Sequence, residues 1–227
     1  MKKNWNGFAK KSIQERLEFV KSQALTSIEA QESLEQNENL SLAVADQLSE
    51  NVVGTFSLPY SIVPEVLVNG QEYTVPYVTE EPSVVAAASF ASKIIKRAGG
   101  FTAQVHQRQM IGQVALYQVP DRDKACRAIL SQKAEILEQA NQAYPSIVKR
   151  GGGARELKVE KISGEADFLV VYLHVDTQEA MGANMLNTML EALKPSLEAI
   201  SQGQSLMGIL SNYATDSLVT ATCRIAF

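Results

Sequence analysis

Two segments of this 227-residue sequence carry residue types that can do chemistry, and the first is a pair of adjacent glutamates. Glu80 and Glu81 stand directly before Pro82 and an almost apolar run. The structural explanation is that the positive end of a helix dipole favours carboxylates there. The functional explanation is that a carboxyl packed against a buried helix loses hydration, stays protonated near neutral pH and acts as a general acid. The residues alone leave both explanations open.

The second segment runs from Asp176 to Asn184, where the pattern predicts the end of a strand and the start of a helix. Free backbone N–H groups at such a helix start bind phosphate or the polar edge of a cofactor. The alternative is an ordinary strand-to-helix turn in which Asn184 is the N-cap. A ligand site and a plain turn are equally compatible with these residues.

Other catalytic chemistry lacks support in the sequence. His106 and His174 are the only histidines, and each stands alone, so no set of metal ligands is predicted. His174 lies within a strand pattern and is expected to be a structural histidine. Cys126 and Cys223 have no neighbouring base and are expected to be free thiols. No nucleophile elbow, Rossmann turn or P-loop occurs.

Composition excludes several classes of protein. Hydrophobic residues make up 45% and charged residues 20%, which is typical of a globular chain. With 21 basic and 25 acidic residues the net charge is −4, so neither nucleic acid nor a membrane is an expected partner. The longest nearly apolar stretch, 84–91, is far shorter than the roughly 20 residues that span a bilayer. Because no apolar signal run follows Met1, a cytoplasmic location is expected.

The N-terminal part has clear local signals. Ser12 and Glu15 form the pattern of a capping box, which predicts the start of a helix. Residues 40–48 are typical of a second short helix. Asn69-Gly70 lies between two runs rich in β-branched residues and predicts a β-hairpin.

The run after Pro82 predicts a helix made of small and apolar residues. Proline suits the first helical position, which makes Glu81 the expected N-cap. Since nearly every side of this helix is small or apolar, we expect it to be buried on all sides, with Gly99-Gly100 ending it.

The order of elements in the second half is strand, helix, strand, strand, helix, strand, which is the ferredoxin-like order. The strands are expected at 113–119, 156–161, 168–175 and 205–210, and the helices at 121–143 and 184–200. The glycines at 151–153 are expected to form a flexible connection. A last strand is expected at 217–227, and because it ends on apolar residues we expect further polypeptide after it.

Four motifs occur in the order found in one enzyme family: ENVVG at 50–54, EEPSVVAAAS at 80–89, AMGAN at 180–184 and SNYATD at 211–216. Together they resemble 3-hydroxy-3-methylglutaryl-CoA (HMG-CoA) reductase, and the proline after the glutamates is similar to the bacterial class II form. The resemblance implies an α+β fold with a partial helical large domain and an inserted ferredoxin-like small domain. The implied domains are 1–110 for substrate binding, 111–212 for cofactor binding, and 213–227 as a return strand into the large domain.

This family reduces HMG-CoA to mevalonate and coenzyme A with two hydrides from NADPH or NADH, without a metal. By resemblance Glu81, rather than Glu80, is the proton donor, Asn212 contacts the HMG portion, and Lys10 and Lys11 lie near a basic contact to coenzyme A. The implied cofactor-binding residues are Tyr144, Glu179, Met181, Gly182, Ala183 and Asn184. A homodimer is also implied.

The sequence departs from the family pattern in three places. Glu179 stands where the family usually has aspartate. No carboxylate follows Ala140-Asn141, which favours NADPH over NADH. The catalytic lysine, aspartate and histidine of the family's second half have no counterpart, so this chain is not expected to complete the reaction alone. The alternatives are a non-catalytic cofactor- or CoA-binding fragment that assembles with another chain, and a ferredoxin-like sensor of a small acid.

Overall fold

The computed structural model describes residues 4–23, 25, 27–36, 40–164 and 167–226. The strand expected at 217–227 ends at Thr222 instead, since residues 223–226 are not in a strand, and Phe227 lies outside the described residues. The chain divides into two compact units, Met1–Ala103 with Ala221–Phe227, and Gln104–Thr220. Both contain helices and antiparallel sheet, which confirms the expected α+β class.

In its described residues the first unit contains a short 3₁₀ helix, four α-helices and a β-hairpin: Phe8–Lys10, α1 Ile13–Ser22, α2 Ile28–Gln36, α3 Leu42–Leu48, β1 Tyr60–Val68, β2 Gln71–Val78 and α4 Val84–Arg97. The capping box is confirmed, because the Ser12 hydroxyl accepts from the Glu15 amide while the Glu15 carboxylate accepts from the Ser12 amide. The hairpin is also confirmed, with φ of 50° at Asn69 and 79° at Gly70 in its turn.

Helix α4 differs from its sequence prediction in two respects. Its N-cap is Ser83 rather than Glu81, because a φ of 71° at Ser83 prevents the helix from starting before Val84. Burial on all sides is also wrong: Ser92 is the one buried residue within the helix, and Phe90 is 68% exposed. One face packs against β1, while several small and apolar side chains on the rest of the helix are exposed.

The second unit is built on a four-stranded sheet in the order β5-β6-β4-β7, in which each neighbouring pair is antiparallel. Its elements are β4 Met110–Tyr117, α5 Arg122–Ser131, α6 Lys133–Ala143, α7 Pro145–Lys149, β5 Gly153–Ile162, β6 Phe168–Asp176, α8 Ala183–Ser201 and β7 Gln204–Leu210. The first connection holds three helices rather than the one expected. Gln132 ends α5 and precedes α6, and Tyr144 ends α6 and precedes α7. Assignment of this arrangement to the ferredoxin-like class stays a prediction.

Strands β3 (Thr102–Arg108) and β8 (Ser217–Thr222) form a separate two-stranded sheet, and the boundary between the units falls within both.

The core of the second unit lies between one face of the four-stranded sheet and its helices. Strand β6 contributes alternate residues to it, and α8 contributes the face expected from its leucine spacing, so that eight side chains are almost fully buried: Leu169, Val171, Leu173, Val175, Leu186, Leu190, Leu193 and Leu197. This packing fixes the end of β6 and the start of α8, which carry the candidate site.

Within the described residues, no helix combines the length and the apolar character that crossing a membrane requires.

Candidate functional site

The turn from β6 into α8 is the first part of the candidate site. Gly182 is the N-cap of α8 with φ of 91°, and its carbonyl accepts the first helical hydrogen bond from the Leu186 amide at 2.9 Å. Gly182 has no side chain to cap this helix start, and among the first-turn amides that of Ala183 donates to the Met181 sulfur at 3.4 Å. Met181 is 74% exposed, and Asn184 is also exposed. The first-turn amides of α8 therefore face a position where an anionic or polar ligand edge binds favourably.

Gly182 allows the backbone of this turn to lie close to β4. A Cβ atom at this position would lie 2.6 Å from the Met110 sulfur and 2.6 Å from Cγ2 of Thr177. Thr177 is 2% exposed and has no room to move outward. Both the positive φ and the close contacts require glycine here.

Polar contacts hold the rest of the turn. The Asp176 carboxylate accepts from the Gln178 amide and from its side-chain Nε2, each at 3.0 Å. Arg155 lies 3.5 Å from the same carboxylate. The Arg108 guanidinium lies 3.2 Å from the Glu179 carboxylate, whose side chain is 96% exposed. The base of the turn is therefore anchored at Asp176, while Glu179 extends toward solvent.

Gly152 and Gly153 form a packed corner next to the exposed Gly151, so the expectation of a flexible connection across 151–153 is wrong. A Cβ on Gly152 would lie 2.5 Å from the Asp176 carbonyl oxygen, and one on Gly153 would lie 2.5 Å from Oδ1 of Asn141. That Asn141 oxygen also accepts from the Ala154 amide at 2.8 Å. The sequence signal for this packing was the run of glycines itself. Because glycine has no Cβ, its backbone can lie closer to neighbouring atoms than that of any other residue.

Tyr144 lies at the same corner. It precedes α7 and is partly buried against the core of the second unit. Lys149 and Arg150, which follow within two helical turns, are exposed. The corner therefore presents an aromatic ring and two cationic side chains near the start of β5.

The segment that joins β7 to β8, residues 211–216, is the second part of the site and is called the β7–β8 loop. Its Ser211 amide donates to the Ile111 carbonyl at 2.8 Å, and its Asp216 carbonyl accepts from the Gln109 amide at 2.8 Å. Asn212 is exposed on this loop. Residues 108–111 thus contact both this loop and the turn at Gly182, so the structure brings Asn212 and the turn to the same end of the sheet.

His174 is buried, at 3% exposure, and its Nδ1 lies 2.8 Å from the Asp216 carboxylate. The expectation of a satisfied structural histidine is confirmed. Its partner was missed from the sequence because the two residues are 42 positions apart and no local pattern links them.

Glu80 and Glu81 belong to the first unit, and both are exposed. The Glu81 amide donates to the Thr79 hydroxyl at 3.2 Å. The expectation of a carboxyl held dry against a buried helix is wrong for this unit, because the surface of α4 that would supply the apolar wall is uncovered.

Lys10 and Lys11 also belong to the first unit. Lys10 ends the 3₁₀ helix and is exposed, whereas Lys11 is partly buried. They adjoin an aromatic cluster in which Trp5 packs edge-on against Phe8 and Phe19, with ring centroids 5.1 and 4.9 Å apart. The cluster gives this short segment a fixed base.

A groove of about 440 Å³ follows α3 in the first unit and includes part of the ENVVG motif. Next to it Val53 is fully exposed and Phe56 is 87% exposed. Its lining is largely apolar and comes from Leu40, Ala45, Leu48, Val52, Gly54 and Phe56, among others. This part of the unit therefore exposes apolar side chains that a folded domain normally covers.

Among the residues that the structure describes, no three His, Cys, Asp or Glu side chains converge in a way that could hold a metal ion.

The second unit is an α+β domain whose Gly182 turn and β7–β8 loop lie at the same end of its sheet. A family model described as hydroxymethylglutaryl-coenzyme A reductase matches residues 12–227. The chain therefore belongs to the hydroxymethylglutaryl-coenzyme A reductase family.

Individual relatives agree with this assignment. The chain is 40% identical over 218 residues to 3-hydroxy-3-methylglutaryl-coenzyme A reductase of Archaeoglobus fulgidus, covering 95% of this chain and 49% of the relative. It is 31% identical over 163 residues to a probable 3-hydroxy-3-methylglutaryl-coenzyme A reductase of Borreliella burgdorferi, covering 72% of this chain and 37% of the relative. The chain thus spans about half the length, or less, of these curated relatives.

The fold is similar to that of a solved class II 3-hydroxy-3-methylglutaryl-CoA reductase from Streptococcus pneumoniae bound to NADPH in open conformations. The TM-score is 0.94 and the identity 82%, covering 98% of this chain and 60% of the solved one. A second structure of the S. pneumoniae reductase gives a TM-score of 0.95 at 82% identity, with 98% and 53% covered.

Proposed function

We propose that this chain provides the NADPH- and HMG-CoA-binding part of an HMG-CoA reductase. The observation that carries the proposal is its 82% identity, over 98% of its length, to the NADPH-bound S. pneumoniae reductase. The overall reaction converts HMG-CoA, two NADPH and two protons to mevalonate, coenzyme A and two NADP⁺. The placement of the β7–β8 loop and the Gly182 turn at one end of a sheet supports a shared site for substrate and cofactor.

The proposed cofactor contacts follow from the geometry of that turn. The first-turn amides of α8 and the close backbone approach at Gly182 suit the polar edge of a nicotinamide cofactor. The proposed contact residues are Tyr144, Glu179, Met181, Gly182, Ala183 and Asn184. NADPH is proposed over NADH because Lys149 and Arg150 place exposed positive charge near Tyr144, which suits a phosphorylated ribose. An NADH-binding site would instead have a carboxylate there to hold the unphosphorylated ribose.

A pair of titrations tests the cofactor preference. The unaltered chain should bind NADPH more tightly than NADH, and Arg150→Gln should reduce the difference by weakening NADPH binding alone. Equal affinities for the two cofactors in the unaltered chain would contradict the proposed preference.

The proposed substrate contacts are three polar side chains. The Asn212 amide is exposed on the β7–β8 loop and is proposed to hydrogen-bond the HMG portion. Lys10 and Lys11 are proposed to lie near the anionic groups of coenzyme A.

Glu81 is proposed as the proton donor to the aldehyde intermediate. Since it is exposed in the first unit, we propose that its dry surroundings come from polypeptide outside these 227 residues. The lysine that stabilises the oxyanion in the family is also absent, and loss of one such contact costs about 10²–10³ in rate. The chain alone is therefore expected to bind its ligands without turnover.

We propose a separate role for each of three parts of the chain. Residues 1–110 are proposed to bind substrate, 111–212 to form a ferredoxin-like cofactor domain, and 213–227 to return to the large domain. A homodimer in the cytoplasm is proposed, and the exposed Val53 and Phe56 support association. Sedimentation of the chain as a monomer at micromolar concentration would contradict the dimer.

The second candidate is a non-catalytic fragment that assembles with another chain, favoured by the uncovered surface of α4. Release of the coenzyme A thiol and oxidation of NADPH distinguish the two. Under the leading proposal, joining this chain to the remaining part of a class II reductase restores thiol release. Binding of both ligands without restored release would favour the second candidate.

A further inference from the structure

The β7–β8 loop is fixed at both ends by backbone hydrogen bonds, one to Ile111 in β4 and one to Gln109 directly before that strand. The amide of its first residue, Ser211, donates to the Ile111 carbonyl, and the carbonyl of its last residue, Asp216, accepts from the Gln109 amide. The two ends of the loop are therefore held by residues that are two positions apart in the chain. Between these anchors Asn212 depends on contacts inside the loop for its position.

A side chain from β6 supplies a third anchor. Leu173 and Val175 belong to the core beneath the helices, so His174 between them lies on the opposite face of the sheet. There its Nδ1 lies 2.8 Å from Oδ2 of Asp216. An ionised carboxylate only accepts hydrogen bonds, so with an ionised Asp216 the donor in this contact is an Nδ1–H group of His174. A hydrogen bond to a charged acceptor is stronger than one between neutral groups.

This anchor continues into the loop. The second Asp216 oxygen accepts from the Thr215 hydroxyl at 3.2 Å, and the Thr215 amide donates to the Tyr213 carbonyl at 3.0 Å. A connected series of hydrogen bonds thus runs from His174 to the residue next to Asn212. The side chain of His174 is 4% exposed and that of Asp216 is 22% exposed, so water competes little for the first bond in the series.

We propose that His174 is a positioning residue for substrate binding, which holds Asp216 and thereby fixes the β7–β8 loop with Asn212 directed toward the HMG portion. This inference rests on the proposed role of Asn212 in binding HMG-CoA. His174 itself does not touch the substrate. The Gly182 turn is held by other contacts, so loss of the His174 bond affects the substrate and leaves the cofactor site intact.

Two substitutions at His174 separate positioning from simple packing. His174→Phe keeps the ring volume and removes the donor, whereas His174→Asn places an amide donor near the position of Nδ1. Calorimetric titration of the full chain with HMG-CoA and, separately, with NADPH measures both sites. His174→Phe should raise the Kd for HMG-CoA about tenfold, as expected for loss of a hydrogen bond to a charged group, and leave the Kd for NADPH unchanged. His174→Asn should recover most of the HMG-CoA affinity.

Each result decides the inference. Unchanged HMG-CoA affinity in His174→Phe, or an equal loss for both ligands, overturns it. If His174→Phe does not fold, Asp216→Ala breaks the same bond from its more exposed side and must give the same selective loss. Failure of the unaltered chain to bind HMG-CoA overturns the proposed function, and the inference falls with it. Faster amide exchange at Gln109 in the Phe variant, relative to the Asn variant, would support the loosened loop directly.

Discussion

Replacing Gly182 by alanine should damage the turn that is proposed to bind the cofactor, and a second glycine with nearly the same φ provides the control. Gly182 has φ of 91° and Gly151 has φ of 90°. A Cβ on Gly182 meets Met110 and Thr177 at 2.6 Å, whereas one on Gly151 meets nothing within 4 Å. The two substitutions therefore share the backbone strain and differ in the steric clash.

The expected magnitudes follow from that difference. A non-glycine residue in the left-handed region costs about 1–2 kcal/mol, which is the whole expected effect of Gly151→Ala. Overpacking adds about 1–3 kcal/mol at Gly182, where Thr177 is buried and cannot move away. Gly182→Ala should therefore lower the free energy of unfolding by about 2–5 kcal/mol, with weaker NADPH binding than Gly151→Ala.

Urea unfolding followed by circular dichroism gives both free energies, and calorimetric titration with NADPH gives both affinities. Equal destabilisation by the two substitutions would refute the argument from close contact, since only the shared φ would then matter. Unchanged NADPH affinity in a folded Gly182→Ala variant would refute the placement of the cofactor at this turn.

Three further predictions concern stability. The Glu198 carboxylate accepts hydrogen bonds from the Ser205 hydroxyl and amide, and these bonds hold its pKa below the ordinary value. The stabilising effect of this carboxylate is therefore present above about pH 4.3 and is lost as the pH falls through the lowered pKa. Urea midpoints measured down the acid range should fall less steeply in Glu198→Gln, and an unchanged slope would contradict the assignment. Gly112→Ala places a Cβ 2.6 Å from Leu190 and should cost about 1–3 kcal/mol in thermal unfolding, and no loss would show that α8 shifts freely. Ser12→Ala removes the N-cap of α1 and should cost about 0.5–2 kcal/mol, measured by urea unfolding against Ser12→Thr, which keeps the hydroxyl and should lose less.

Local sequence signals predicted the elements that local chemistry determines. The hairpin at Asn69-Gly70 followed from two residues that accept positive φ, and the start of α1 followed from Ser12 and Glu15. The element order of the second unit followed from alternating and helical spacing of apolar residues, because the core selects those periods directly.

Features that depend on distant parts of the chain were predicted wrongly or were missed. Burial of α4 was inferred from its composition, yet composition states only what a helix can bury and not whether a partner surface is present. The bond between His174 and Asp216 and the tight packing of Gly152 are tertiary contacts between distant residues. The motif resemblance located the Gly182 turn and the β7–β8 loop, and the structure added that both contact residues 108–111.

The most direct test of the central claim is one calorimetric titration of the 227-residue chain with NADPH and then with HMG-CoA, with the NADPH absorbance recorded in the same sample. The account predicts saturable binding of both ligands and a constant absorbance. Steady oxidation of NADPH once HMG-CoA is added, or no binding of either ligand, would contradict it.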